Sequence, residues 1–287
     1  MLRFVSLLAL LPLSLGAQTA TWAGPVPPAG GVGWAIVQLE PGDSLAALAV
    51  GDAALAYERA PGGWRALVPV PIAADGTVRL RLTVQGPVRR PPAAVDLVIE
   101  SRSYPTERLR VDPRFTETPT GALAERIARE RQESAALIPV ALQTMRLFDE
   151  PFRAPAPSAI TSPFGTARVF NGEARSRHLG TDYEGATGDP VLAANRGVVM
   201  LIGDFYYSGR IVYVNHGLGL MTAYLHLSEV AVAVGDTLLP GQLVGRMGSS
   251  GRVTGPHLHW MVRVGSQLVD GTTLLLLPGP VEMAVPR

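Results

Sequence analysis

The sequence predicts a mainly β protein. It should have an N-terminal β-sandwich-like domain, a short helical connector and a C-terminal antiparallel β domain. Three observations carry this. The 287 residues hold 31 glycines and 25 prolines, a turn-rich composition. Short apolar runs alternate with turn signals at both ends of the chain. Between them lies one stretch of good helix formers. The length suits two domains, taking roughly 100–200 residues for each.

Taken in order, Arg3 precedes an apolar run, Val5 to Leu15, and the small residues Ser14, Gly16 and Ala17 lie near its end. This reads as a secretory signal peptide over residues 1–20, with cleavage between Gly16 and Ala20. The run is short of the roughly 20 apolar residues of a membrane span. The expected location is therefore exported, periplasmic or extracellular, without stable membrane insertion after cleavage. Residues 21–112 form the accessory sandwich. Strands are expected at Trp34–Leu39, Trp64–Val70, Val78–Val84 and Val95–Ile99, between turns such as Pro41-Gly-Asp and Ala74-Asp-Gly. In Val78–Val84 the period is two, with Arg79 and Arg81 on one face and Leu80 and Leu82 on the other.

Residues 113–150 form the connector. Thr118 is placed as helix cap and Pro119 as the first helical residue. Glu125 and Arg129 are spaced to pair. Pro139 should kink or end the helix, which could resume over Ala141–Phe148. A proline-rich linker, Asp149 to Pro163, leads into the last domain, 151–287. Strands are expected there at Val191–Ala194, Gly197–Ile202, Ile211–Asn215, Thr222–Leu227, Leu243–Met247 and His257–Val264.

The charge balance is +1, so no global field favours nucleic acid. With no cysteine, thiolate metal sites and thiol nucleophiles are excluded. All five histidines, His178, His216, His226, His257 and His259, fall in the second half. On a strand, His257 and His259 share a face while Leu258 faces the core. Tyr224 and His226 are expected to repeat that geometry. His178 and Asp182 flank Gly180, which would leave room for an ion and substrate. Imidazole and carboxylate are zinc ligands, and three of them leave a position for water. His216, in Val214-Asn-His-Gly217, is expected to be a structural turn residue.

At these residues the sequence resembles the lysostaphin/LytM-type zinc metallopeptidases of bacterial peptidoglycan. The resemblance runs through Thr161-Ser-Pro-Phe-Gly165, Arg168-Val-Phe-Asn-Gly172, His178-Leu-Gly-Thr-Asp182, Tyr224-Leu-His-Leu227 and Gly248-Ser-Ser-Gly-Arg-Val-Thr-Gly-Pro-His-Leu-His259. It implies one Zn2+ per chain held by His178, Asp182 and His259. His226 and His257 become the catalytic non-ligand pair, either of which could be the base. The implied partner is a peptidoglycan peptide lying in a groove. The implied reaction is hydrolysis of a cross-link or stem peptide bond. Trp260-Met261 stands where the family often has an aromatic followed by Glu, and Gly271 follows Asp270 where Pro is common. Two other readings are a non-catalytic activator of wall hydrolases and a zinc peptidase acting on an exported protein. Part of residues 22–150 is expected to cover the groove or position it at the wall, and a regulatory protein partner is possible.

Overall fold

A computed structural model gives the structure over residues 18–280, apart from positions 88, 90, 111, 113–116 and 173 and the side chains of 174 and 175. The hydrophobic run of the expected signal peptide lies outside the described residues, as does the chain next to the 112/113 boundary. No helix among the described residues is long and apolar enough to cross a membrane.

The N-terminal region contains β1 (Thr19–Trp22), β2 (Val32–Gln38), β3 (Ser44–Val50), β4 (Ala53–Ala54), β5 (Glu58–Ala60), β6 (Gly63–Pro69), β7 (Thr77–Gln85) and β8 (Ala93–Val98). These form two four-stranded antiparallel sheets, ordered β1-β2-β6-β5 and β4-β3-β7-β8. β7 alternates strictly, Leu80 and Leu82 being buried and Arg79 and Arg81 exposed. Its apolar face packs with Trp34, Leu48 and Leu67 into one core, so period-two patterning built the sandwich as expected. β1 starts at Thr19, inside the stretch assigned to the signal segment.

Next come β9 (Thr106–Leu109) and α1 (Gly121–Gln143). The helix starts at Gly121, with Thr120 as N-cap, two residues later than expected. It runs through Pro139 without ending there. Proline costs a helix one hydrogen bond and a clash with the preceding turn. Here the last turn is fastened to the C-terminal domain: Gly219 N–H donates to Ala141 O at 2.9 Å and Leu218 N–H to Thr144 O at 2.9 Å. Along α1, Arg126 pairs with Glu130 at 2.7 Å, and among the described residues Glu125 and Arg129 form no ion pair.

The C-terminal domain comprises β10 (Ile160–Ser162), β11 (Ala167–Phe170), β12 (Ala174–Arg177), β13 (Thr181–Glu184), β14 (Pro190–Leu192), β15 (Gly197–Phe205), β16 (Gly209–Gly217), β17 (Leu220–Val230), β18 (Thr237–Leu238), β19 (Leu243–Met247), β20 (His257–Val264), β21 (Gln267–Val269) and α2 (Gly271–Leu274). The main sheet is ordered β10-β13-β20-β17-β16-β15-β18, with β14 and β21 off its path and β19 joining β14 to β17. β12 and β11 form a small sheet whose third strand is β9, added in parallel. Residues read as accessory thus complete a sheet of the C-terminal domain. The two cores are continuous. At their seam Asp270 N–H donates to Gly30 O at 2.7 Å, and buried Asp270 caps α2 and pairs with Arg102 at 2.6 Å.

Candidate functional site

The register of the main sheet places the site. β20 lies between β13 and β17, and Asp182 on β13 is directly opposite His259 on β20. Directly opposed residues of an antiparallel pair share a face, so the carboxylate and the imidazole meet. Leu258 and Trp260 point the other way and are fully buried.

His178 arrives from the segment between β12 and β13. Its backbone is clamped to the Pro163–Thr166 loop by His178 N–H to Thr166 O at 2.9 Å and Gly165 N–H to His178 O at 2.7 Å. Its Nδ1 lies 3.1 Å from Pro163 O and 3.2 Å from Ser162 Oγ. A carbonyl only accepts, so Nδ1 carries the proton and Nε2 is left with its lone pair. That lone pair is 2.9 Å from Asp182 Oδ1 and 2.9 Å from His259 Nδ1, which itself lies 2.7 Å from Oδ1.

Gly180 has a different role from the expected one. A Cβ there would fall on Nε2 and Cε1 of His259, so the glycine makes room for the imidazole rather than for the ion. Tyr224 does not share a face with His226. It is buried, and its hydroxyl accepts from Ala194 N–H at 2.9 Å. Opposite Arg210–Val212, β17 carries one extra residue, and His226 adopts φ 64°, left-handed for a non-glycine. The bulge breaks alternation and turns His226 into the groove. Its Nδ1 is 2.8 Å from Ser250 O, and that of His257 is 2.9 Å from Gly255 O. Both therefore present Nε2 to the site, His257 Nε2 lying 3.7 Å from Asp182 Oδ1. The His226 and His257 rings are 4.9 Å apart.

His216 lies elsewhere, fully buried, its ring nitrogens 2.7 Å from Arg196 O and 2.9 Å from Thr222 Oγ1. It is a structural residue.

Burial opposes the charge of Asp182. Interaction with the His178 and His259 rings outweighs that and holds the carboxyl far below the ordinary range. Burial lowers His259 and, reinforced by His259 and His257, pushes His226 down to about 3. These imidazoles favour the neutral form, which is the ligand form.

Arg168, a partner of Asp182, and Glu107 behind it had no role in the sequence reading. Arg168, on β11, reaches Asp182 Oδ2 at 2.6 Å and Glu107 at 3.5 Å. Glu107, on β9, also accepts from Ser162 Oγ at 3.1 Å. Arg168 thus occupies one carboxylate oxygen and leaves Oδ1 for the cluster. No sequence signal marks Glu107, because only the parallel pairing of β9 with β11 brings it there.

The cluster opens into a groove of about 530 Å3 lined by all four site histidines, Asp182, Arg168, Phe170, Tyr207, Leu225, Arg252 and Met261. Convergent imidazoles and a carboxylate with few protons among them fit a divalent cation, and the combination of N and O donors suits zinc. Such a cluster on an open sheet face, with two further imidazoles alongside, is the arrangement of a metallohydrolase.

Residues 176–271, about a third of the chain, match the model of Peptidase family M23, a metallopeptidase family. Peptidoglycan DD-endopeptidase ShyA of Vibrio cholerae is 38% identical over 110 residues, which are 38% of this chain and 25% of ShyA. DD-carboxypeptidase/endopeptidase Mpg of Neisseria meningitidis is 36% identical over 127 residues, 44% of this chain and 27% of Mpg. The chain therefore spans about a quarter of the length of these curated relatives. A solved Pseudomonas aeruginosa structure assigned to peptidase M23 is similar with a TM-score of 0.65 at 25% identity. That likeness covers 88% of this chain and 96% of the other. It includes the N-terminal region as well as the C-terminal sheets.

Proposed function

We propose that this protein is an exported zinc-dependent endopeptidase that hydrolyses peptide bonds of bacterial peptidoglycan. The observation that carries the reading is the meeting of His178 Nε2, Asp182 Oδ1 and His259 Nδ1 at the floor of a groove that also holds His226 and His257. The first three would hold one Zn2+. Bound there, the ion would polarise a scissile carbonyl and make a water acidic enough to attack near neutral pH.

The rest falls to the chain. Arg168, tethered to Glu107, keeps Asp182 from turning away. His226 and His257 have Nδ1 fixed on backbone carbonyls, so each can take a proton at Nε2 and return it to the departing amine. Leu225, Met261 and Phe170 give the groove an apolar lining for an extended peptide. The substrate class follows from the DD-endopeptidase relatives, and export from the N-terminal apolar run. In this reading residues 151–287 carry the chemistry, and 21–112 and 113–150 support it.

The test is muropeptide release from purified peptidoglycan by the mature chain, by His259→Ala and by chelated protein. Release by the mature chain alone, recovered by zinc in the chelated sample, is expected. No release from zinc-loaded mature chain would sink the reading.

A further inference from the structure

One cation in the groove has no use in the reaction as proposed. Arg252 lies between Ser250, whose carbonyl accepts from His226, and His257. Its backbone N–H donates to Tyr207 O at 2.8 Å, and Ser208 O accepts from His226 N–H at 3.0 Å. The Arg252 loop and the Tyr207 turn therefore belong to the frame that holds His226. The turn is in turn fixed from α1, because Glu130 accepts the Tyr206 N–H at 3.0 Å.

The guanidinium carbon lies 4.7 Å from the Tyr207 ring centre and 4.9 Å from that of Phe170. Both rings line the groove with it. Aromatic faces hold a guanidinium in place and leave its N–H edge free to donate. Among the described residues no carboxylate pairs with Arg252 and no acceptor takes a hydrogen bond from its side chain. The other guanidinium beside the metal cluster, Arg168, is already committed to Asp182 and Glu107. Arg177, farther along the wall, donates to Gly165 O at 3.0 Å. Burial works against the charge on Arg252, and Arg168 adds to this. A half-buried, aromatic-clamped guanidinium with open donors is a receptor for a planar anion, and bidentate pairing with a carboxylate is its strongest match.

We propose that Arg252 is a specificity residue that anchors a free carboxylate of the peptide substrate beside the reacting centre. Resting on the peptidase reading, this names the chemical class of the substrate: an anionic peptide with a carboxylate within a few residues of the bond cut. Two sources offer that chemistry, the C-terminal α-carboxylate and an acidic side chain. In either case the carboxylate meets the Arg252 fork while the backbone passes over His226 and His257.

The experiment uses the full chain, with and without zinc, and one synthetic wall-type peptide in three forms: free acid, C-terminal amide and side-chain amide. Binding is read by calorimetry and hydrolysis by mass spectrometry. For one of the two amides, binding should weaken about tenfold relative to the free acid, the scale of losing a charge-assisted pair. Which amide it is identifies the source. Arg252→Gln should bind that amide and the acid equally, and Arg252→Lys should keep part of the preference. The hydrolytic preference should appear mainly in KM. Equal binding of all three forms by the unsubstituted chain, no binding of the acid form, or a full preference retained in Arg252→Gln overturns the proposal. If Arg252→Gln does not fold, the unsubstituted chain and Arg252→Lys still decide. A carboxylate preference without zinc-dependent cleavage would leave the anion site standing and remove the peptidase reading. Cleavage without a preference would do the reverse.

Discussion

His226 has its side chain in the groove because its backbone departs from strand geometry, at φ 64° beside a bulge. Gly180 acts in the opposite way, through the side chain it lacks. Gly180→Ala should push the His259 imidazole off its position, since the new methyl and the ring occupy the same space. Zinc affinity, measured by competition with a chromophoric chelator, should fall about 10- to 100-fold, the loss typical when a ligand's support is disturbed. Unchanged affinity would show that the ring has another place to go. His216 makes a separate prediction, about stability. Burial pushes it from 6.5 down to about 4, so the unfolded chain takes up its proton more readily than the folded one. Its contribution is complete above pH 6.5 and is lost as pH falls toward 4, by up to about 3 kcal/mol at about 1.4 kcal/mol per unit. Urea midpoints at pH 7, 5.5 and 4 should therefore fall less steeply for His216→Gln than for the unsubstituted chain. Parallel declines would rule the residue out.

Two elements from before residue 151 are built into the C-terminal sheets. β9 completes the β12-β11 sheet and supplies Glu107. α1 lays Leu137 and Ala141 on Ile211, Tyr213 and Met221, a second core on the same face of the main sheet as the site, alongside the groove. A fragment of residues 151–287 should therefore melt well below the full chain and bind an apolar dye, because that face is left bare. A fragment starting at 101 keeps β9 and α1 and should recover part of the loss. A 151–287 fragment as stable as the whole would contradict this packing. Charges on α1 also do more than face solvent. Glu130 holds the Tyr206 backbone, and Arg126 donates to Asp204 O at 2.7 Å, so the helix steadies one wall of the groove.

Across the whole molecule, the sandwich and the C-terminal sheets share one core and meet at Asp270, whose carboxylate caps α2 and pairs with Arg102. Most strands were legible because period-two patterning and turn residues are local signals: β7 and β20 lie close to where alternation placed them, and β16 close to where a short apolar run between turns did. His178, Asp182, His257 and His259 were legible for a related reason, since short spacings on extended chain fix which side chains share a face. Tyr224 and His226 defeated that rule, because a bulge depends on the partner strand as much as on the residues themselves. Pro139 did not end the helix, because packing on β16 and β17 offsets a lost hydrogen bond. The sequence by itself determined the β class, the helix and the residue types able to hold a metal, all of which follow from local pattern and side-chain chemistry. Only the tertiary structure decided that Arg168 and Glu107 brace Asp182, that Gly180 yields to His259 and that Arg252 stands open in the groove. Those contacts join residues far apart in the chain, and their energies exist only once the sheets have paired in register.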